Sequence, residues 1–308
     1  MSIRRRILEF IASKVMLAAT LFSSLLVIVI GVALYLKSRP LLASKSILGI
    51  ALGNEWHPSA GQFGLKPFII GTVWVTGLAI VIAVPVCILA AIYLAEYATP
   101  RTRAIIKPLI DILAGVPSVV YGAWALLVVV PFIANVVGPY AQAHWKRIPF
   151  LFTEYTTGFS ILAGGIVLAI MVSPAIISVA EEVLRAVPED YRDVSYAVGA
   201  TRLETITRVV IRKALPGLVA AIVLGVSRAL GETMAVLMVV GNVATSPHSV
   251  FDAAYPLPAL IANNYGEMMS IPLYDSALLC SALVLLILVL FFNVLAQVVL
   301  AHTSRRAA

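Results

Sequence analysis

Arg228 and Glu232 stand four residues apart inside the apolar run GLVAAIVLGVSRALGETMAVLMVVG, from Gly217 to Gly241, and are its only charges. At the centre of a membrane helix each would cost about 2.5–3.5 kcal/mol on the insertion scale, so neither belongs against lipid. A spacing of i, i+4 sets both on one helical face, one turn apart and within reach of each other. A charged pair hidden at mid-bilayer predicts a polar pathway. The structural alternative is a self-neutralising ion pair that only fixes helix packing, since desolvation offsets much of the attraction between buried charges. Thr233, Ser227 and Asn242 are further polar side chains along the same stretch.

A second segment with chemistry of its own is 181–216, EEVLRAVPEDYRDVSYAVGATRLETITRVVIRKALP. Pro188 suits the first turn of a helix, and Glu189 and Asp190 lie favourably near its positive end. Val187, Tyr191, Val194 and Val198 recur at helical spacing, a narrow apolar stripe on a polar helix. Gly199 then permits a sharp turn, and a second helix follows with Leu203, Ile206 and Val210 on one face. A helix resting on anionic headgroups would carry a basic polar face, but 187–199 has three acids and one arginine. Docking into a protein groove fits that balance better.

The elements that must position these residues follow from composition. The chain has 308 residues, 61% hydrophobic and 12% charged, far from the roughly 25% charged of a soluble domain. It reads as an all-α integral membrane protein. Six runs have the length of about 20 residues that a bilayer demands: 15–36, 68–95, 109–136, 159–180, 217–241 and 276–301. The first follows Arg4, Arg5 and Arg6 but is too long for the apolar core of a signal peptide, and is expected to stay as an anchor. Lys and Arg number four before the first run, three in 96–108, six in 181–216 and two in the tail. The opposite side carries six, at 37, 39, 45, 66, 146 and 147, and none between 242 and 275. The positive-inside rule therefore places both termini and the 181–216 loop in the cytoplasm, and the basic balance reflects topology rather than nucleic-acid binding.

Cys87 and Cys280 lie in apolar runs as small packing residues, and the four histidines show no metal-ligand spacing. Glu96 and Glu181, at span ends, read as interfacial, and Asp111 as a helix-start or interface acid. Pro85, Gly115, Pro117, Gly122, Pro131, Gly164, Gly165, Pro174 and Gly225 punctuate the runs, as close helix packing allows. No G-x-x-x-x-G-K-[ST] occurs, so the sequence carries no P-loop.

The 181–216 loop resembles the EAA loop of ABC-importer permeases, with Asp193-Val194-Ser195-Tyr196-Ala197-Val198-Gly199 standing where that family has Glu-Ala-Ala-x-x-x-Gly. The acid and the glycine are kept and both alanines replaced. LAGVPSVVYGAWAL at 113–126 and SRALGETMAVLMVVGN at 227–242 are similar to the permease subunits of phosphate-specific ABC importers, the PstC type. The resemblance implies six transmembrane helices built as a MetI-like permease core with an extra N-terminal helix. It divides the chain into an anchor and loop (1–66), a permease domain (67–301) and a tail (302–308). It implies a PstA-like second permease, a PstB-like ATPase pair and a PstS-like periplasmic phosphate-binding protein. This chain would itself bind no cofactor, ATP and magnesium being held by the ATPase. Pro188, Tyr191, Asp193, Val194, Ala197, Val198, Gly199 and Ala200 are then the expected ATPase-coupling residues. Arg228, Glu232 and Thr233 are the expected lining of the phosphate path, because a guanidinium grips phosphate oxygens in a planar, bidentate fashion. The alternatives are a permease for molybdate or sulfate, an ion-coupled transporter using Glu232 as proton carrier, and a membrane scaffold or sensor.

Overall fold

In the computed structural model, which describes residues 3–153, 157–267 and 271–307, the chain is mostly helical. Among these residues the strand structure is a short antiparallel pairing of Trp56–His57 with Gln62–Phe63 and a lone bridge between Gly241 and Ala254, the remaining non-helical segments being loops such as 238–256. Among the described residues, six helical stretches are long and apolar enough to cross a membrane: Glu9–Leu42, Lys66–Tyr97, Ser118–His144, Ile161–Arg185, Arg202–Leu230 and Tyr274–His302. They answer to the six expected runs, with corrections at the third and fifth.

The fourth span is the axis of the bundle: 61% of its apolar window is buried within the protein, against 0% for the first. The second span packs most extensively along it, then the fifth, while the first leans chiefly on the sixth. Close approach depends on missing side chains. A methyl at Gly164 would stand 2.5 Å from Val240, and one at Gly225 would stand 2.5 Å from Ile176. These contacts also mark levels along the bundle. Gly217 meets Val183 near the loop end of the fourth span, Gly225 meets Ile176 near its middle, and Val240 meets Gly164 near its hairpin end. At the hairpin end Trp56, Phe63, Phe68, Tyr255 and Tyr274 form a chain of rings with centroids 5.1–6.4 Å apart, which fixes the outer loops onto the second and sixth spans.

The third expected run is not one helix. It divides into Pro100–Gly115 and Ser118–Leu127, hinged at Val116 and Pro117. The proline ring disfavours helical geometry in the residue before it, and Val116 is extended at φ −68°, ψ 129°. Lys107 reaches Glu181 at the loop end, and Gly122 faces Ala235 and Met238 beyond the middle. The hinge therefore lies near mid-height.

The fifth run, expected as 217–241, is displaced. Its helix begins at Arg202 and ends at Leu230, so the second loop helix and the span form one rod, continuous through a π turn at Ile206–Val210. A π turn adds a residue to the turn and rotates what precedes it. Leu203 is consequently exposed while Ile206 and Val210 are buried, so these three do not share one face. After Leu230 the backbone leaves the helix at Gly231–Thr233 and regains a single turn at Met234–Leu237.

Candidate functional site

Arg228 occupies the last turn of the fifth-span helix, where a cation favours the negative end of the helix dipole. Gly231 and Glu232 both turn their N–H groups back to the Ala229 carbonyl, which closes the helix between the two charges. The expected i, i+4 pair on one continuous face is therefore corrected. Among the described residues no ion pair joins Arg228 to Glu232. Instead Glu232 Oε1 accepts the Ala235 N–H at 3.3 Å, at the start of the short Met234–Leu237 helix. Glu232 and Thr233 are half-buried, and the Thr233 hydroxyl donates to the Gly231 carbonyl at 3.3 Å. Arg228 is exposed on this chain.

Less than one turn separates Arg228 from Gly225, so it lies level with the middle of the fourth span, although it stands in the last turn of its own helix and not at the expected midpoint of the fifth span. The break at 231–233 lies beside the Pro117 hinge. The Met234–Leu237 turn packs on Ser118–Leu127, and the Tyr121 hydroxyl bridges the hinge to the Leu113 carbonyl at 2.8 Å. Arg228 lies within electrostatic reach of Tyr121. Backbone that is not helical, and charge that is not buried, are tolerated at membrane depth only against protein or a water-filled cavity. Two broken runs and an exposed guanidinium thus make one polar level, the niche, midway along the bundle.

Two of the polar neighbours take other parts. Ser227 donates to Asn293 of the sixth span at 2.6 Å, and Asn293 donates to the Val289 carbonyl at 3.0 Å, tying the rod to the sixth span beside the niche. Asn242 lies towards the hairpin end, with φ 54° and its amide donating to the Leu237 carbonyl at 2.8 Å. Asp111 is exposed in the second half of Pro100–Gly115, not at a helix start. Tyr121 and Asn293 had no distinguishing signal in sequence.

At the loop end, the helix Glu189–Ala197 follows Pro188 with Glu189 and Asp190 in its first turn. Pro188, Tyr191, Asp193, Val194, Ala197, Val198 and Gly199 are exposed, and Ala200 is half-buried. Val187, the first residue of the stripe, is buried with Ala91, Leu184, Val210 and Leu218 and roots the loop in the bundle. The rest of the stripe is uncovered: Val194 is 67% and Val198 80% exposed. With Pro188, Tyr191 and Val209 they line an open groove of about 720 Å³. Gly199 has φ +85°, a left-handed conformation that a side chain would strain. The next helix opens with a reciprocal cap between Thr201 and Glu204.

Glu96 and Glu181 lie at span ends, as expected, but each side chain is buried among cations of the protein. Glu96 Oε1 meets Arg192 Nη2 at 2.6 Å with both side chains largely buried, and Glu181 is 2% exposed. Arg103 at 3.5 Å, Lys107 at 3.2 Å and Arg185 at 3.5 Å surround Glu181, and their charge makes its burial tolerable. These cations come from a separate helix and the same helix one turn on, a convergence no local pattern announces.

Comparison with known proteins gives this architecture a family. Residues 83–308 match the family described as the binding-protein-dependent transport system inner membrane component. A probable ABC transporter permease protein, YqgH of Bacillus subtilis (strain 168), is 39% identical over 78% of this chain and 74% of its own length. A protein named phosphate transport system permease protein PstC, from Mesorhizobium japonicum, is 34% identical over 94% of this chain and 90% of its own. In fold, the chain is similar to the inward-facing MetNI methionine ABC transporter, with a TM-score of 0.50 at 18% identity over 78% of this chain and 94% of that one. The six spans, the interrupted niche and the exposed loop helix are those of a multi-pass transport subunit of the inner membrane, and the chain belongs to the binding-protein-dependent transport system inner membrane component family, whose members work with an ATPase and a substrate-binding protein.

Proposed function

We propose that the chain is a permease subunit of an ATP-driven importer that carries inorganic phosphate into the cytoplasm, with Arg228, Glu232 and Thr233 lining the path. The observation that carries this reading is the exposed guanidinium of Arg228 at mid-height between two helix breaks. Relatives named as PstC support phosphate as the anion. Arg228 attracts the anion through bidentate hydrogen bonds when the niche opens outward. Glu232, held beside the break through Ala235, accepts a hydrogen bond from a protonated phosphate oxygen. Its negative charge keeps the site shallow, because conduction requires binding weak enough for release.

In this reading both termini and the 181–216 loop are cytoplasmic. A PstA-like second permease covers the exposed Arg228 face and a PstS-like protein delivers phosphate from the periplasm. A PstB-like ATPase pair, which holds ATP and magnesium, docks on the loop through Pro188, Tyr191, Val194 and Val198 of the groove and through the neighbouring Asp193, Ala197, Gly199 and Ala200. The chain binds no cofactor of its own. The test is uptake of labelled phosphate, sulfate and molybdate in a deletion strain at limiting phosphate. Loss of phosphate uptake alone, restored by the gene, is the expected result. Unimpaired phosphate uptake, or a defect confined to sulfate or molybdate, contradicts the proposal.

A further inference from the structure

The coupling residues above face outward, and nothing in them says how movement of the loop helix reaches the spans. We infer that Arg192 and Glu96 form that joint, as a positioning pair outside both the path and the docking groove; this rests on the proposed coupling role of the loop. Arg192 lies on the inward side of the Glu189–Ala197 helix with 16% of its side chain exposed, and Glu96 has 6%. The guanidinium meets the carboxylate as a fork, Nη2 to Oε1 at 2.6 Å and Nε to Oε2 at 3.5 Å. Its Nη1 donates to the Val187 carbonyl at 2.6 Å and its Nη2 to the Leu184 carbonyl at 3.2 Å. One side chain thus binds the loop helix to the end of the fourth span and to the end of the second.

The same point gathers two more elements. Glu96 sits in the π turn Tyr93–Tyr97 that ends the second span. Arg202, at the start of the fifth-span rod, donates to the Glu96 main-chain carbonyl and lies 4.6 Å over the Tyr97 ring. Arg103, from the Pro100–Gly115 helix, donates to the Leu94 carbonyl at 2.6 Å and pairs with Glu181 of the fourth span at 3.5 Å. The helices on both sides of the niche therefore converge on the turn that Arg192 holds. A planar fork resists rotation about the contact in a way a point charge does not. Buried ion pairs contribute little net stability, which favours a geometric role for this one.

The experiment reconstitutes the complete complex in proteoliposomes and measures labelled phosphate moved per ATP hydrolysed. Glu96→Gln, Arg192→Gln and the double variant are compared with the natural chain. Each single change is expected to leave ATP hydrolysis and bound ATPase in place and to lower phosphate moved per ATP on the order of two- to thirtyfold. The double variant is expected to be no worse than the worse single one, as for two members of one contact. An unchanged ratio in either single variant, or losses that multiply in the double, overturns the joint. If a Gln variant does not assemble, Glu96→Asp and Arg192→Lys, which keep charge but alter the fork, are read by the same ratio, with an unchanged ratio again overturning it. The docking reading is judged separately by Val194→Asp on the outward face: retained ATPase and full uptake there sink the docking role, whatever the ratio in the Glu96 and Arg192 variants.

Discussion

Arg228 ends a helix, beside a second broken run, on a face this chain leaves open, and the cost of a charge against lipid requires that face to meet protein or water. Its geometry and its charge can be separated. Arg228→Lys keeps the charge and loses the fork, and phosphate uptake is expected to fall on the order of tenfold, the worth of about 1.5 kcal/mol from one charge-assisted hydrogen bond. Glu232→Gln keeps an oxygen for the Ala235 N–H but removes the charge that keeps the site shallow. Uptake at saturating phosphate should then fall several-fold while the complex still assembles, as release slows; full-speed uptake would remove Glu232 from the path. The two charges were legible because an apolar run makes any charge conspicuous. Their separation was not, since the helix stop at Gly231 depends on Met234–Leu237 packing against Ser118–Leu127, more than a hundred residues earlier. Tyr121 was invisible for a related reason: a tyrosine in an apolar run reads as packing until its neighbours are known.

The broken helices and the loop carry the geometry. Periodicity located the loop helix after Pro188, and the turn at Gly199 followed from glycine alone. The hinge at Val116–Pro117 was written in the pre-proline rule, but hydropathy continues across it and merges two helices into one run. Conversely, the continuous rod from Arg202 to Leu230 hides behind a polar start and Pro216, features that suggest a boundary where the structure has none. Two outcomes follow for the loop. Val194→Asp places a charge in the exposed apolar groove and should strip the ATPase from the purified complex, seen as loss of co-purification. Gly199→Val forces a β-branched residue into φ +85°, at a strain of about 1–2 kcal/mol, and should lower the amount of ATPase retained without abolishing membrane insertion.

Taken whole, the chain is a bundle around one buried span, with an aromatic seal at the hairpin end, an interrupted polar niche midway, and an ion-paired collar beneath the loop helix. That division suits a permease that receives energy from a partner. Uptake should accordingly persist when an uncoupler collapses the proton gradient and stop when ATP is depleted; the reverse pattern would indicate an ion-coupled transporter. The most direct measurement is labelled-phosphate uptake by cells carrying Arg228→Gln in place of the natural residue, with assembly of the complex verified in the same membranes. Uptake reduced at least about tenfold in an assembled complex is predicted from the loss of a charge-assisted contact to the anion. Uptake at the natural rate would contradict the pathway assigned to Arg228.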